Sequence, residues 1–135
     1  MPTAANITVK KNDGTTDVVY TSVQPAGGPG VPAVWKNQTV GTSIGQQPEL
    51  RCSSKESKSA GVNFSDVRLS YKYPRSVMNS TTGEITLSEG FSGTASIRIN
   101  QVMLTTDLNE AAAQFGNLMA SALIKSVLQS GRSPI

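Results

Sequence analysis

The chain has 135 residues and a net charge of +3, which fits a single domain and is compatible with an anionic partner without requiring one. It contains no histidine and one cysteine, Cys52, so an intrachain disulfide, zinc sites of the usual kind, Ser-His-Asp triads and Cys-His dyads are excluded or nearly so. Aromatic residues make up only 5%, so we expect a modest core that burial against a second copy would enlarge.

The N-terminal segment predicts a β-hairpin. Ile7–Lys10 contains β-branched residues, Asp13-Gly14 is a strong hairpin-turn signal, and Asp17–Thr21 provides the returning strand. The following stretch, 25–30, is rich in glycine and proline and is a connecting loop by composition.

Five further strands and a polar turn are predicted before residue 105. Short strands are expected at Val31–Trp35 and Leu50–Ser54, and 55–61 is a polar turn. An alternating strand covers Asp66–Tyr73 and ends at Pro74, a further strand begins at Val77, and a last one covers Thr94–Met103.

The C-terminal part carries a helical signal. Thr106 is a plausible N-cap, Asp107 suits the first turn, and apolar residues recur at helical spacing from Leu108 to Val127. Gly131 and Pro134 end the helical pattern. Strands followed by helix predict an α+β fold in one domain, 1–135, with hairpin and sheet to about residue 105 and helices over about 106–130.

Basic side chains are sorted by strand parity. Successive side chains of a strand point to opposite faces. In three predicted strands, apolar residues alternate with polar ones, so one face of each strand is apolar and the other is polar. Neighbouring strands would therefore share one polar surface, here named the cationic face. Its members are Arg51, Lys55, Arg68, Lys72 and Arg98, the hydroxyl residues Ser53, Ser70, Thr94 and Ser96, and the opposing acids Glu49 and Asp66. Such a surface suits a phosphate backbone with unpaired bases between side chains. A half-exposed sheet, however, also has a polar face without any ligand.

The order of these parts resembles the coat proteins of single-stranded RNA bacteriophages, the leviviruses. The resemblance covers nearly the whole chain, and its order and spacing carry it rather than any single motif. Its segments are 11–18 in the first hairpin, Val34-Trp35, Leu50-Arg51-Cys52-Ser53, Lys72-Tyr73-Pro74, Thr105-Thr106-Asp107 and 118–124.

The resemblance implies an N-terminal hairpin over a five-stranded antiparallel sheet, and two C-terminal helices that reach across to a second subunit. Two subunits would join their sheets into a ten-stranded surface, and dimers would assemble into an icosahedral virion in the bacterial cytoplasm. It implies a dimer interface at Phe115, Leu118, Met119, Ala122 and Leu123. It also implies a loop between dimers at Thr81–Ser92, with Gly83, Glu84 and Gly90.

In this family the inner sheet face binds a stem-loop of the genomic RNA, which represses replicase translation and marks the genome for packaging. The matching positions are Arg51, Ser53, Lys55, Arg68, Ser70, Lys72, Thr94 and Ser96, to which parity adds Arg98. Two positions depart from the family pattern. Thr94 stands where a base-stacking Tyr is common, and Arg51 stands where a small hydroxyl residue is common. No cofactor, metal or membrane partner is implied.

Three other functions stay open at this level. The chain could be a solitary nucleic-acid-binding module, or a shell or tail subunit without specific RNA recognition. It could also be a small hydrolase, whose nearest acidic pair is Asp107 and Glu110. That pair is better explained as favourable charge at the start of a helix.

Overall fold

The computed structural model describes residues 2–135 and consists of two compact units, the first ending at Asn100 and the second spanning Gln101–Ile135. The first unit contains the strands and the second the helices, which confirms the α+β class. Met1, where the predicted domain begins, lies outside the described residues. The elements are β1 (Ile7–Lys10), β2 (Asp17–Gln24), β3 (Ala33–Lys36), a 3₁₀ turn (Ile44–Gln46), β4 (Glu49–Ser59), β5 (Val62–Met78), β6 (Ile85–Asn100), α1 (Thr105–Met119) and α2 (Ala122–Ser130).

The strands pair in chain order, each antiparallel to the next. The predicted hairpin is confirmed as β1 and β2, and β2 to β6 form a five-stranded sheet that shares β2 with the hairpin. Asp13 organises the hairpin turn by accepting hydrogen bonds from the backbone of Thr15 and Thr16 and from the Thr16 hydroxyl. These bonds, those from Thr16 first, lower the pKa of Asp13 to about 2.

The hairpin folds against the apolar face of the sheet. The hydroxyl of Tyr20 on β2 lies 2.8 Å from that of Tyr71 on β5, and the indole Nε1 of Trp35 donates to the carbonyl of Ala5 at 2.8 Å. The ring of Phe91 contacts Tyr71 edge-on, with 6.0 Å between centroids. The hairpin thus covers the side of the sheet opposite the cationic face.

The predicted polar turn at 55–61 is wrong in length. Lys55 to Ser59 continue β4, and the chain reverses only at Ala60 and Gly61, which have φ angles of 50° and 80°. A two-residue turn with both φ values positive matches the right-handed twist of the flanking strands, so the ladder can extend to its tip despite polar side chains. The pairs run as far as Ser59 opposite Val62.

Pro74 does not end its strand. β5 continues to Met78, so Val77 belongs to the end of β5 and begins no new strand. The register with β6 shifts by one residue between Tyr73 and Arg75, so the missing N–H of Pro74 falls at a bulge. The predicted loop Thr81–Ser92 is correspondingly too long, because β6 begins at Ile85.

Other predicted boundaries shift by a few residues. β3 starts after Pro32, at Ala33, and the last strand ends at Asn100 rather than Met103. The helix begins at Thr105 with Leu104 as its N-cap, so the predicted cap Thr106 is wrong.

The helical region is divided into two helices, as the resemblance implied. α1 ends at Met119, and Ser121 caps α2 by accepting a hydrogen bond from the backbone of Ile124. Gly131 ends α2 in the left-handed conformation, with φ of 67°, as predicted. Asp107 lies in the first turn of α1, where its charge favours the helix dipole. No helix within residues 2–135 is both long and apolar enough to span a membrane.

Candidate nucleic-acid interface

The register of β4, β5 and β6 brings the predicted site residues together. Residues directly opposite one another on antiparallel strands project from the same face. Arg68 on β5 lies between Ser53 on β4 and Ser96 on β6. The rows across the three strands are Glu49–Lys72–Ser92, Arg51–Ser70–Thr94, Ser53–Arg68–Ser96 and Lys55–Asp66–Arg98. The predicted parity is confirmed, and the cationic face is one continuous surface.

The opposite face of the same strands is apolar. Cys52, Leu69 and Ala95 form one row across it, and the neighbouring row contains Leu50 and Tyr71. Cys52 is half-buried there as a free thiol. This separation of apolar from basic side chains follows from strand alternation alone, because every strand contributes to both faces.

The basic residues of the cationic face are partly neutralised by two carboxylates. Arg51 pairs with Glu49, and Lys36 of β3 lies 3.4 Å from the same carboxylate. Arg98 donates from Nε to Asp66 at 2.8 Å. Within residues 2–135, Arg68 and Lys72 take part in none of the ion pairs, so their charge is available to an anion. Lys55 lies opposite Asp66, and its charge helps to lower the pKa of that carboxyl.

Both carboxylates are held in the ionised form. Partial burial acts to raise the pKa of Glu49, but hydrogen bonds and charge from Arg51 and Lys36 outweigh it and lower the value. The hydrogen bond from Arg98, followed by that from Ser57, lowers the pKa of Asp66, and the same ion pair raises the pKa of Arg98. The face therefore keeps its charge pattern across the neutral and mildly acidic range.

Two residues of this face, Lys36 and Phe64, were not predicted from the sequence. Lys36 lies opposite Glu49 on the four-residue strand β3, which is too short to show an alternating pattern. Phe64 lies opposite Ser57 and has the same parity as Asp66, but the predicted strand began at Asp66. Starting that strand at Val62, directly after the glycine of the turn, would have found it.

Two depressions cross the cationic face. One, of about 550 Å³, is lined mainly by Arg51, Ser70, Lys72, Ser92, Gly93 and Thr94, and a second, of about 500 Å³, by Ser53, Lys55, Asp66, Arg68, Ser96 and Arg98. Each has the size of a small-molecule site and a lining of both polar and apolar atoms. Among residues 2–135, no three His, Cys, Asp or Glu side chains cluster closely enough to hold a metal ion.

The other predicted interaction residues lie elsewhere. Gly83 and Glu84 are in the turn between β5 and β6, where the backbone N–H of Asn79 donates to the backbone carbonyl of Glu84 at 2.8 Å. Gly90 is not in a loop but within β6. A Cβ at Gly90 would lie 2.6 Å from the carbonyl oxygen of Tyr73, so glycine is needed for close backbone approach rather than for loop flexibility.

The residues predicted for a dimer interface lie on the two helices. Phe115, Leu118, Met119 and Leu123 are between 40% and 60% exposed, and neither helix has a buried residue. Ala122 begins α2. Large apolar side chains on one helical unit, exposed together, mark a surface suited to a partner.

Comparison with known proteins relates this architecture to viral capsids. No protein-family model matches the chain, and no curated protein matches it. The structure is similar to the virus-like particle of Beihai levi-like virus 21, with a TM-score of 0.78, 23% identity, and 99% of this chain and 98% of that chain covered. The chain has the bacteriophage coat-protein fold.

Two further solved structures share this coat-protein fold. The virus-like particle of bacteriophage ESE058 aligns with a TM-score of 0.73 at 14% identity, over 99% of this chain and 100% of that chain. The bacteriophage GA protein capsid aligns with a TM-score of 0.67 at 18% identity, over 96% of each chain. The coat-protein fold predicted by resemblance is thus confirmed over nearly the whole chain.

Proposed function

We propose that this chain is a structural capsid protein, not an enzyme, and that it assembles into a virion shell around single-stranded RNA. The observation that carries the proposal is the cationic face, which is built on a fold shared with virus-like particles. The whole of 1–135 would act as one coat-protein domain. No cofactor or metal is needed for this function.

The charge of the cationic face supports RNA as the partner. Six basic side chains, including Lys36, share the face with two carboxylates, although the chain as a whole has 12 basic and nine acidic residues. Excess positive charge on one surface binds phosphates through counterion release. The serines and threonine between the basic residues can hydrogen-bond to phosphates or base edges.

The edge of the sheet supports a homodimer. Within residues 2–135, β6 has a strand neighbour on one side only, although it is 16 residues long. A long unpaired edge is a template for pairing with another chain. Antiparallel pairing of β6 with β6 of a second copy would join two five-stranded sheets into ten strands and would continue the cationic face across the junction.

The helices would provide the second part of that dimer. Their exposed apolar residues Phe115, Leu118, Met119 and Leu123, with Ala122, would be covered by the partner. Among the described residues, only Ala33, Val34 and Pro48 are buried apolar residues, so the chain has much to gain from a partner's apolar surface. Gly83 and Glu84, at the turn, would take part in contacts between dimers.

Expression of the full chain alone tests this function. We expect closed particles that elute far above the subunit mass and contain nuclease-protected RNA. Changing Lys72→Glu should lower the RNA content of the purified protein while leaving it folded. Lys58→Glu is the matched control, because the side chain of Lys58 projects from the opposite face of β4. Soluble monomers, or equal RNA loss in the control, would contradict the proposal.

Recognition of an RNA stem-loop, and through it repression of replicase translation, is the finer part of the proposal. It depends on the resemblance and on the hydroxyl-rich rows around Ser70 and Ser96. Selection of bound RNAs from a library of random stem-loops tests it. Enrichment of one hairpin is expected, whereas binding that follows RNA length alone would favour a shell without specific recognition.

A further inference from the structure

The end of the cationic face near the β4–β5 turn contains an aromatic ring, which the rest of the face lacks among its named residues. Near the β4–β5 turn, the guanidinium of Arg98 lies over the ring of Phe64, with 5.2 Å between Cζ and the ring centroid. Phe64 is half-buried and Arg98 is exposed over 57% of its side chain. An aromatic ring and a guanidinium therefore occur together at this end of a surface made otherwise of hydroxyls and charged side chains.

The Arg98 side chain is fixed from two directions. Its Nε donates to Oδ1 of Asp66 at 2.8 Å, and Oδ2 of Asp66 accepts from the Ser57 hydroxyl at 2.6 Å. The cross-strand register supports this arrangement, because Asp66 lies directly opposite Arg98 and Ser57 lies directly opposite Phe64. The carboxylate at one edge and the ring beneath it restrict the guanidinium before any ligand arrives.

The bond to Asp66 engages Nε and leaves the outer surface of the guanidinium toward solvent. Arg98 itself lines the depression of about 500 Å³, together with Lys55, which lies opposite Asp66, and Arg68, which takes part in none of the ion pairs within residues 2–135. These two basic side chains can bind phosphates beside the Phe64–Arg98 pair. Unpaired RNA bases stack on aromatic rings and on arginine planes.

We propose that Phe64 and Arg98 form a base-stacking subsite for one unpaired base of single-stranded RNA, with Lys55 and Arg68 binding the adjacent phosphates. This deepens the RNA-binding part of the proposed function and rests on it. Phe64 supports the guanidinium from below, Asp66 orients it, and the base lies on its exposed side. The subsite adds affinity for bases, whereas the remaining basic residues add affinity for the backbone.

Two oligoribonucleotides separate stacking from charge. Fluorescence anisotropy would compare a labelled oligo(A) with an abasic strand of equal length, using the full-length chain. Phe64→Leu keeps an apolar side chain but removes the ring, and Arg98→Lys keeps the charge but removes the plane. Each variant should weaken oligo(A) binding about tenfold and leave abasic binding unchanged. Arg68→Lys is the matched control and should leave the ratio of the two affinities unchanged.

The outcomes are distinct. Equal loss for both strands, or no loss in either variant, overturns the stacking subsite even if Lys55→Gln still weakens binding. If the unaltered chain binds neither strand, the proposed RNA-binding function fails together with the subsite. Arg98→Lys keeps the test decisive should Phe64→Leu unfold, which circular dichroism would reveal.

Discussion

The hydroxyl groups of Tyr20 and Tyr71 lie 2.8 Å apart, although the two residues belong to strands that are not neighbours in the sheet. Tyr20 lies on β2 and Tyr71 on β5, so the bond fastens the N-terminal hairpin across the apolar face. Burial, followed by the hydrogen bond with Tyr20, raises the pKa of Tyr71 above its ordinary value. This pair of hydroxyls is thus part of the tertiary structure and not of the backbone ladder.

Removing one hydroxyl of this pair should destabilise the fold. Tyr71→Phe leaves the Tyr20 hydroxyl without its partner, so we expect the free energy of unfolding to fall by ~1 kcal/mol. Urea denaturation of the single variants and the Tyr20→Phe double variant would give the coupling energy. Tyr73→Phe is the control, because Tyr73 is 44% exposed. A coupling energy near zero would mean that the hydrogen bond is not formed in solution.

Replacing Gly90 should disturb the bulge at Pro74. In Gly90→Ala the new methyl group would lie 2.6 Å from the Tyr73 carbonyl oxygen, and backbone atoms cannot easily move aside. We expect a loss of about 1–3 kcal/mol in unfolding free energy. Gly93→Ala on the same strand is the matched control, since no atom lies within 4 Å of the added Cβ. Similar denaturation midpoints for the two variants would disprove the close approach.

Salt dependence should distinguish the two faces of β4. Lys55→Gln removes a charge from the cationic face and should reduce the slope of log K against log salt for RNA by about 0.7. Lys58→Gln removes the same charge from the opposite face and should leave the slope unchanged. Titration of single-stranded RNA at several salt concentrations measures both. Equal slopes in the two variants would show that the RNA does not distinguish the faces.

RNA affinity should hardly change between pH 7.5 and pH 5. Protonating Glu49 or Asp66 would remove negative charge from the cationic face and strengthen RNA binding. The pKa of each carboxyl is lowered from an ordinary value of 4.5 or 3.8, so both stay ionised at pH 5. The chain has no histidine that could titrate in this interval. Affinity that rises steadily on acidification, measured with an untagged chain, would contradict the ion pairs described here.

Alternation predicted the cationic face because a strand's parity does not depend on where the strand ends. Arg51, Arg68 and Arg98 fall on one face whichever boundaries are chosen. Phe64 was missed for the opposite reason, since its assignment required the true start of β5. The start depends on the Ala60-Gly61 turn, in which alanine takes a positive φ that its residue type does not predict.

The strand around Pro74 could not be predicted from neighbouring residues alone. Proline interrupts regular pairing, and the prediction that it ends a strand used only that property. The fold accommodates it with a bulge on β6 that includes Gly90, a residue 16 positions later in the chain. Compensation between distant residues is visible only once the two strands are paired.

Cryo-electron microscopy of the particles formed by the full chain tests the central claim most directly. We predict closed shells of dimers in which β6 pairs with β6 of the second copy and Arg68 lies on the inner surface against RNA density. Particles with Arg68 on the outer surface, or a chain that remains monomeric at high concentration, would contradict the account.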